Sequence, residues 1–384
     1  MVDQGATPSA RRRKAASPIR KAAPRRPRRR WQDLPDSALL DVRLCDLAPE
    51  LQRRWPDSWV AECVETVFAE LAARGIAFRP HVWLSDEWFS PDGVPGIAIP
   101  FYLAHPRLAR LEKRRMLEVE GGTREECLRI LRHECGHALQ HAFVLHGSRR
   151  WQETFGRSSQ DYPKSYRFNP QSRAFVQHLR LYYAQSHPDE DFAETFAVWL
   201  GPRAAWRRRY AGWPALVKLH RVDELMDELK TRRPKVTRRA KVDPLGKLTT
   251  TLGAHYAERQ ATAGRAAPQV PDAELRALFA ARPPRARSGA AGAGRSRRAT
   301  RLSAGEPAAV FLRRHRASIR ALVARGTGEY QLTLDRALAG CIASCRRLDL
   351  WATGPERRLR MDVAVLLTVH TIQFHYSGRN WVAL

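Results

Sequence analysis

Residues 131–141, Leu-Arg-His-Glu-Cys-Gly-His-Ala-Leu-Gln-His, constrain this chain more than any other stretch. His133 and His137 are four residues apart, so on an α-helix their imidazoles stand one above the other and can share a metal ion. Glu134 lies beside the coordination position that such a pair leaves open. A carboxylate there can take a proton from a water that the metal activates. A catalytic site of this kind needs a third protein ligand. The fold must therefore bring a second element against this helix.

His141 cannot be that ligand, because it lies eight residues from His133, about 12 Å along a helix axis. The metzincin arrangement HExxHxxGxxH is also excluded, since the chain has Gln140 and Phe143 where glycine and histidine would be needed. The remaining candidates are acids on a later helix. Pro188 followed by Asp189, Glu190 and Asp191 is a strong helix start, and Gly201-Pro202 ends it. Phe192, Phe196 and Trp199 give it a buried stripe. Glu190 and Glu194 share a face, whereas Asp191 is turned about 100° away. An HExxH helix completed by a glutamate from a later helix is the build of the glutamate zincins.

The surrounding pattern supplies the other elements. A strand is expected near Leu39–Leu44, then a helix from Ser58 to Arg74 with Asp57 as N-cap and Gly75 as its stop. Ala77–Leu84 and Val94–Leu103 read as strands separated by a Ser90–Gly93 turn. Prolines in the second mark it as an edge, to which an extended peptide can add. A polar helix over Pro106–Leu117 follows, and Thr123-x-x-Glu126 is a capping box that opens the His133 helix. That helix is expected to run to about Leu145. Residues 147–180 read as a long segment that packs across the site, and a further helix runs to about Leu229. Helices are also expected over Lys247–Gln260, Asp272–Arg282, Ala308–Arg325, Tyr330–Leu348 and Glu356–Tyr376.

Charge is concentrated outside the expected folded body. The chain of 384 residues carries a formal net charge of +28. Residues 1–30, 230–247 and 282–301 together account for +24 of it. Residues 1–30 have almost no large apolar side chain and are expected to be disordered. Basic tails of this kind can bind nucleic acid or an anionic surface nonspecifically, with steep salt dependence, but they lack the interleaved aromatics of a single-strand reader. The six cysteines form no CxxC pair, and no secretory signal precedes them, which points to reduced thiols and a cytoplasmic protein. Cys341 and Cys345 are expected on a buried helix face. No apolar run is long enough to span a membrane.

Glu190-Asp-Phe-Ala-Glu194-Thr-Phe is similar to the E-x-[FW]-A-E-x-[FW] segment of the family described as putative zinc-binding metallopeptidases. Together with Arg132-His-Glu-Cys-Gly-His it identifies the chain, over roughly residues 35–230, as resembling that family. The same segment resembles the protease domain of anthrax lethal factor. The resemblance implies one zinc ion held by His133, His137 and Glu190, with Glu194 supporting the site from behind. It also implies Glu134 as general base, and Tyr183, seven residues before Glu190, as the group that assists the oxyanion or leaving amine (with Tyr182 as a fallback). Cys135 departs from the bulkier residue of that pattern and should face away from the metal.

The expected fold is α+β. It comprises a disordered basic tail (1–30), a zincin-like domain (31–230) with a small sheet and active-site helices, a basic and partly disordered linker (231–303), and a mainly α-helical C-terminal region (304–384). The expected activity is zinc-dependent hydrolysis of a peptide or protein. Two other readings are a basic protein associated with nucleic acid and a metal-binding scaffold without catalysis. The intact Glu134 counts against the second, since structural zinc does not require it.

Overall fold

The computed structural model describes residues 30–202, 205–263, 267–281 and 305–377. The basic run before residue 30 and the arginine-rich run 282–304 lie outside the described residues. Among the described residues helices dominate, with two small sheets, and the apolar side chains gather into two main cores. One spans Trp31 to Tyr256, the other Leu275 to Leu367.

The first core begins with α1 (Asp36–Leu39) and α2 (Leu44–Arg54), not with the strand expected over Leu39–Leu44. Leu44, Leu47 and Leu51 recur at helical spacing and are all buried. That wins over the short alternation through Leu40, Val42 and Leu44. Helix α3 (Trp59–Ala73) is capped by Ser58, whose Oγ accepts from Ala61 N at 3.2 Å, and not by Asp57.

Strands β1 (His81–Ser85) and β2 (Gly96–Pro100) pair in parallel. All five residues of β2 are buried. On the side away from β1, Ala98 N donates to Phe89 O at 2.8 Å. The edge expected to receive a peptide is thus already occupied at Ala98.

Helix α4 (Pro106–Met116) leads into α5 (Arg124–Phe143), which Thr123 caps through Oγ1 to Glu126 N at 3.2 Å. Val144, in the left-handed region at φ 54°, ends α5 just before the expected point. Helix α6 (Arg149–Phe155) lies inside the stretch read as a long loop. Helices α7 (Pro188–Leu200), α8 (Trp206–Arg209) and α9 (Ala215–Leu229) complete this half, with α5 packed between α3 and α7.

Residues 231–263, expected to begin a partly disordered linker, belong to the first core. Backbone groups hold them there, while most of the basic side chains face solvent. Lys235 N and Val236 N donate to Ala142 O at 2.8 and 3.0 Å. Trp83 Nε1 donates to Val242 O and Ser85 Oγ to Asp243 O, at 2.9 and 2.6 Å. Helix α10 (Leu252–Ala263) then packs against α4, burying Leu252 and Tyr256.

The second core holds α11 (Asp272–Leu278), α12 (Ala308–Thr327), α13 (Gln331–Arg347) and α14 (Glu356–Tyr376). Strands β3 (Ala280–Ala281) and β4 (Glu306–Pro307) flank β5 (Leu350–Ala352) at one end. Cys341 and Cys345 are buried on α13, as their spacing suggests. The two halves meet where Tyr166, Phe168 and Leu181 pack with Tyr182, Tyr183 and Tyr330, and where Arg336 donates to Gln260 O. Among the described residues no helix is long and apolar enough to cross a membrane.

Candidate active site

Two helix starts aim the site. The Thr123 N-cap of α5 puts its first turn in register, while the Glu126 carboxylate accepts from Arg180 and does not close the expected capping box, and His133 and His137 follow on the face turned toward α7. On α7, His187 Nδ1 accepts from Asp189 N at 3.2 Å, Pro188 occupies the first turn, and three acids favour the positive end of the helix dipole. Phe192, Phe196 and Trp199 are buried behind it. Gly136 lets the two helices meet. A Cβ at that position would stand 3.0 Å from Ala193 Cα and 3.1 Å from Phe196 Cδ1.

Three donor atoms converge there. His133 Nε2 and His137 Nε2 are 3.1 Å apart, and Glu190 Oε2 lies 3.0 and 3.2 Å from them. All three residues are buried. Donors about 2.05 Å from a tetrahedral zinc stand about 3.3 Å from one another, so the cluster fits that ion. His133 Nδ1 faces Glu194 Oε1 at 2.9 Å, while Glu194 Oε2 accepts from Leu179 N at 2.8 Å. A proton on Nδ1 leaves the Nε2 lone pair turned to the cluster, as ligating histidines require. Burial opposes ionisation of Glu190, but the charge and hydrogen bonds of His137 and His133 outweigh it and hold that carboxyl well below its usual range.

Glu134 is only 8% exposed, and its Oε2 has no hydrogen-bond partner among the described residues. Burial pushes its carboxyl up, which suits a group that must accept a proton. The Tyr183 ring lies 5.7 Å from the His133 ring. Burial, then the nearby Glu190, drive its phenol well above the ordinary value. Tyr182 packs instead against Phe168 at 5.0 Å. Cys135 is fully buried on α5 and is not among the clustered donors. His141 is also outside the cluster: its Nδ1 accepts from Gly93 N at 3.3 Å, and burial lowers its pKa to about 4.

One neighbour had no signal in the sequence. Tyr162 donates to Glu190 Oε1 at 3.1 Å, and its ring stacks on His187 at 3.9 Å. It sits in an irregular segment whose richness in tyrosine is too general to single out one ring. Asp189 is likewise tied into this region, accepting from Gln140 Nε2 and Ser158 Oγ at 2.8 and 2.9 Å.

The cluster opens into a cavity of about 410 Å³. One wall comes from the second core, through Glu329, Tyr330, Thr333 and Phe374. His375 Nε2 braces that wall against Glu329 Oε2 at 2.9 Å. The C-terminal helices therefore help to shape the cleft.

A buried His-His-Glu cluster, with Glu134 beside it in a cleft, makes a candidate metal site. Residues 112–211 match the model of the family described as "Putative zinc-binding metallo-peptidase". That span contains α5, α7 and every residue of the cluster. No curated protein and no solved structure matches the chain significantly.

Proposed function

We propose that this protein is a zinc metallopeptidase of glutamate zincin type, with a zincin-like catalytic fold. The convergence of His133 Nε2, His137 Nε2 and Glu190 Oε2 carries the reading. These residues would hold one zinc ion, which supplies Lewis acidity for activating water and polarising a carbonyl. Glu134 Oε2 accepts the proton of the attacking water and delivers it to the leaving amide nitrogen. Glu194 keeps the His133 ring in the tautomer and orientation that ligation needs. Tyr183 donates its phenolic proton in a hydrogen bond to the oxyanion as it develops. Tyr162 steadies the carboxylate of Glu190 from the opposite oxygen. The wall from the second core excludes water from one side of the scissile bond.

The unpaired, buried Glu134 favours catalysis over a structural metal site, which would have no use for that carboxyl. The free cysteines suit a reducing, cytoplasmic setting. Metal analysis and peptide hydrolysis test the proposal together. Wild type should carry one zinc, and His137→Ala and Glu190→Ala should lose it. Glu134→Gln should keep the metal while hydrolysis falls at least about 100-fold. Retention of zinc by both ligand variants, or unchanged hydrolysis by Glu134→Gln, would sink the assignment.

A further inference from the structure

The cavity is acidic in a chain that is strongly basic. Besides Glu134 and Glu190, its lining carries seven carboxylates against three guanidiniums, whereas the whole chain has a net charge of +28. Two of the three arginines are already committed. Arg180 reaches Glu118 and Glu126 at 3.0 and 3.1 Å, with Tyr330 beneath it at 5.8 Å. Arg259 reaches Glu112 at 2.8 Å and Glu87 at 3.5 Å. Each guanidinium is thus shared between two acids, which leaves local negative charge in excess.

Glu120 stands between these two clusters in the charge pattern. It lines the same cavity, with Arg259 and Arg180 acting on it as counter-charges and Glu118 and Glu126 as repulsion, and among the described residues it makes no ion pair within 4 Å. Burial pushes its carboxyl up to about 7, since Arg259 and Arg180 offset only part of the desolvation of this partly buried side chain. The cavity walls also include Trp88, whose flat ring can cover an aliphatic stem, while the Tyr330 and Tyr102 rings already lie under Arg180 and Arg259. The cavity is also lined by Glu134, a residue 8% exposed whose buried Oε2 has no hydrogen-bond partner among the described residues, so acidic lining and reactive carboxyl belong to one ligand site.

The geometry points to a substrate pocket for a lysine or arginine side chain, with Glu120 as its carboxylate receptor. This rests on the peptidase reading for its substrate class, but the pocket itself is a binding claim. A cation entering it would meet a carboxylate that no arginine pairs with among the described residues, which is the arrangement that selects charge rather than size. An acidic side chain in the same position would meet a like-charged wall.

The test uses labelled hexapeptides that carry arginine or norleucine at each position in turn. Binding is measured by fluorescence polarisation on zinc-loaded, full-length Glu134→Gln protein, and kcat/KM on wild type. At one position, arginine should bind at least about tenfold more tightly than norleucine, with a preference that shrinks as salt rises. In Glu120→Gln/Glu134→Gln the ratio should close to within about twofold, and the kcat/KM ratio should close likewise in Glu120→Gln. Equal binding of the two peptides at every position, or a preference untouched by Glu120→Gln, overturns the pocket. A Glu120-dependent binding preference without any hydrolysis by wild type supports the pocket and defeats the peptidase reading instead.

Discussion

Replacing Gly136 with alanine sets two effects of opposite sign against each other at the contact that builds the site. The added Cβ would meet Ala193 Cα at 3.0 Å, Phe196 Cδ1 at 3.1 Å and Ala193 O at 3.3 Å. Two of these atoms are backbone of a buried helix, so no side-chain rotation relieves them and α7 must shift by a few tenths of an ångström. Overpacking of this kind costs about 1–3 kcal/mol, while alanine gains about 1 kcal/mol over glycine in a helix interior. The net is a loss of up to about 2 kcal/mol, or several degrees in Tm at roughly 2–4 °C per kcal/mol. Because α7 carries Glu190 and Glu194, zinc affinity should fall about tenfold as well. Gly340 supplies the control: it is exposed on α13 with nothing within 4 Å of a new Cβ. Gly340→Ala should therefore stabilise by about 0.5–1 kcal/mol. Melting of the metal-free proteins, followed by circular dichroism, and zinc competition against a chromophoric chelator measure both effects. A Gly136→Ala protein that melts at or above wild type with undiminished zinc affinity would refute the close-contact argument.

Two further outcomes follow from the hydrogen bonds and charges of the site. Glu194→Ala removes the acceptor facing His133 Nδ1 and should weaken zinc binding about 10–100-fold without abolishing it; an unchanged affinity by chelator competition would show that the ring needs no such partner. Glu120 has a folded-state pKa of about 7 against an ordinary 4.5, so between those values the folded state binds more protons and wild-type stability falls as pH rises. Glu120→Gln should therefore melt increasingly above wild type from pH 5 to pH 8, by at most about 3 kcal/mol, and less because the side chain is partly exposed. A gap that shrinks with rising pH would contradict the sign.

What could be read from the sequence divides along physical lines. Caps, breakers and helical periodicity act within about four residues, so α3, α4, α5, α7 and the helices of the second core were legible nearly to their ends. The pairing of His133 with His137, and of Glu190 with Glu194, was legible for the same reason, since a shared helix face is a local property; which glutamate joins the histidines came from the family resemblance. Gly136 is the residue that permits that meeting, yet nothing in its neighbours marks it as more than a small helical residue. Charge misled the reading of 231–263: the basic side chains that suggest a solvated linker do point outward, but the backbone beneath them bonds to Ala142, Trp83 and Ser85. A backbone contact leaves no trace in side-chain composition. Tyr162 and Tyr330 illustrate the same gap from the side of the site. Both reach the cavity from irregular or distant segments, where no period relates an aromatic ring to its neighbours. The His133–His137 pair was therefore readable from spacing, and Glu190 was one of two acids that spacing offered and the family resemblance chose between, whereas the walls around the cluster, which set what can enter, depend on contacts between residues far apart in the chain.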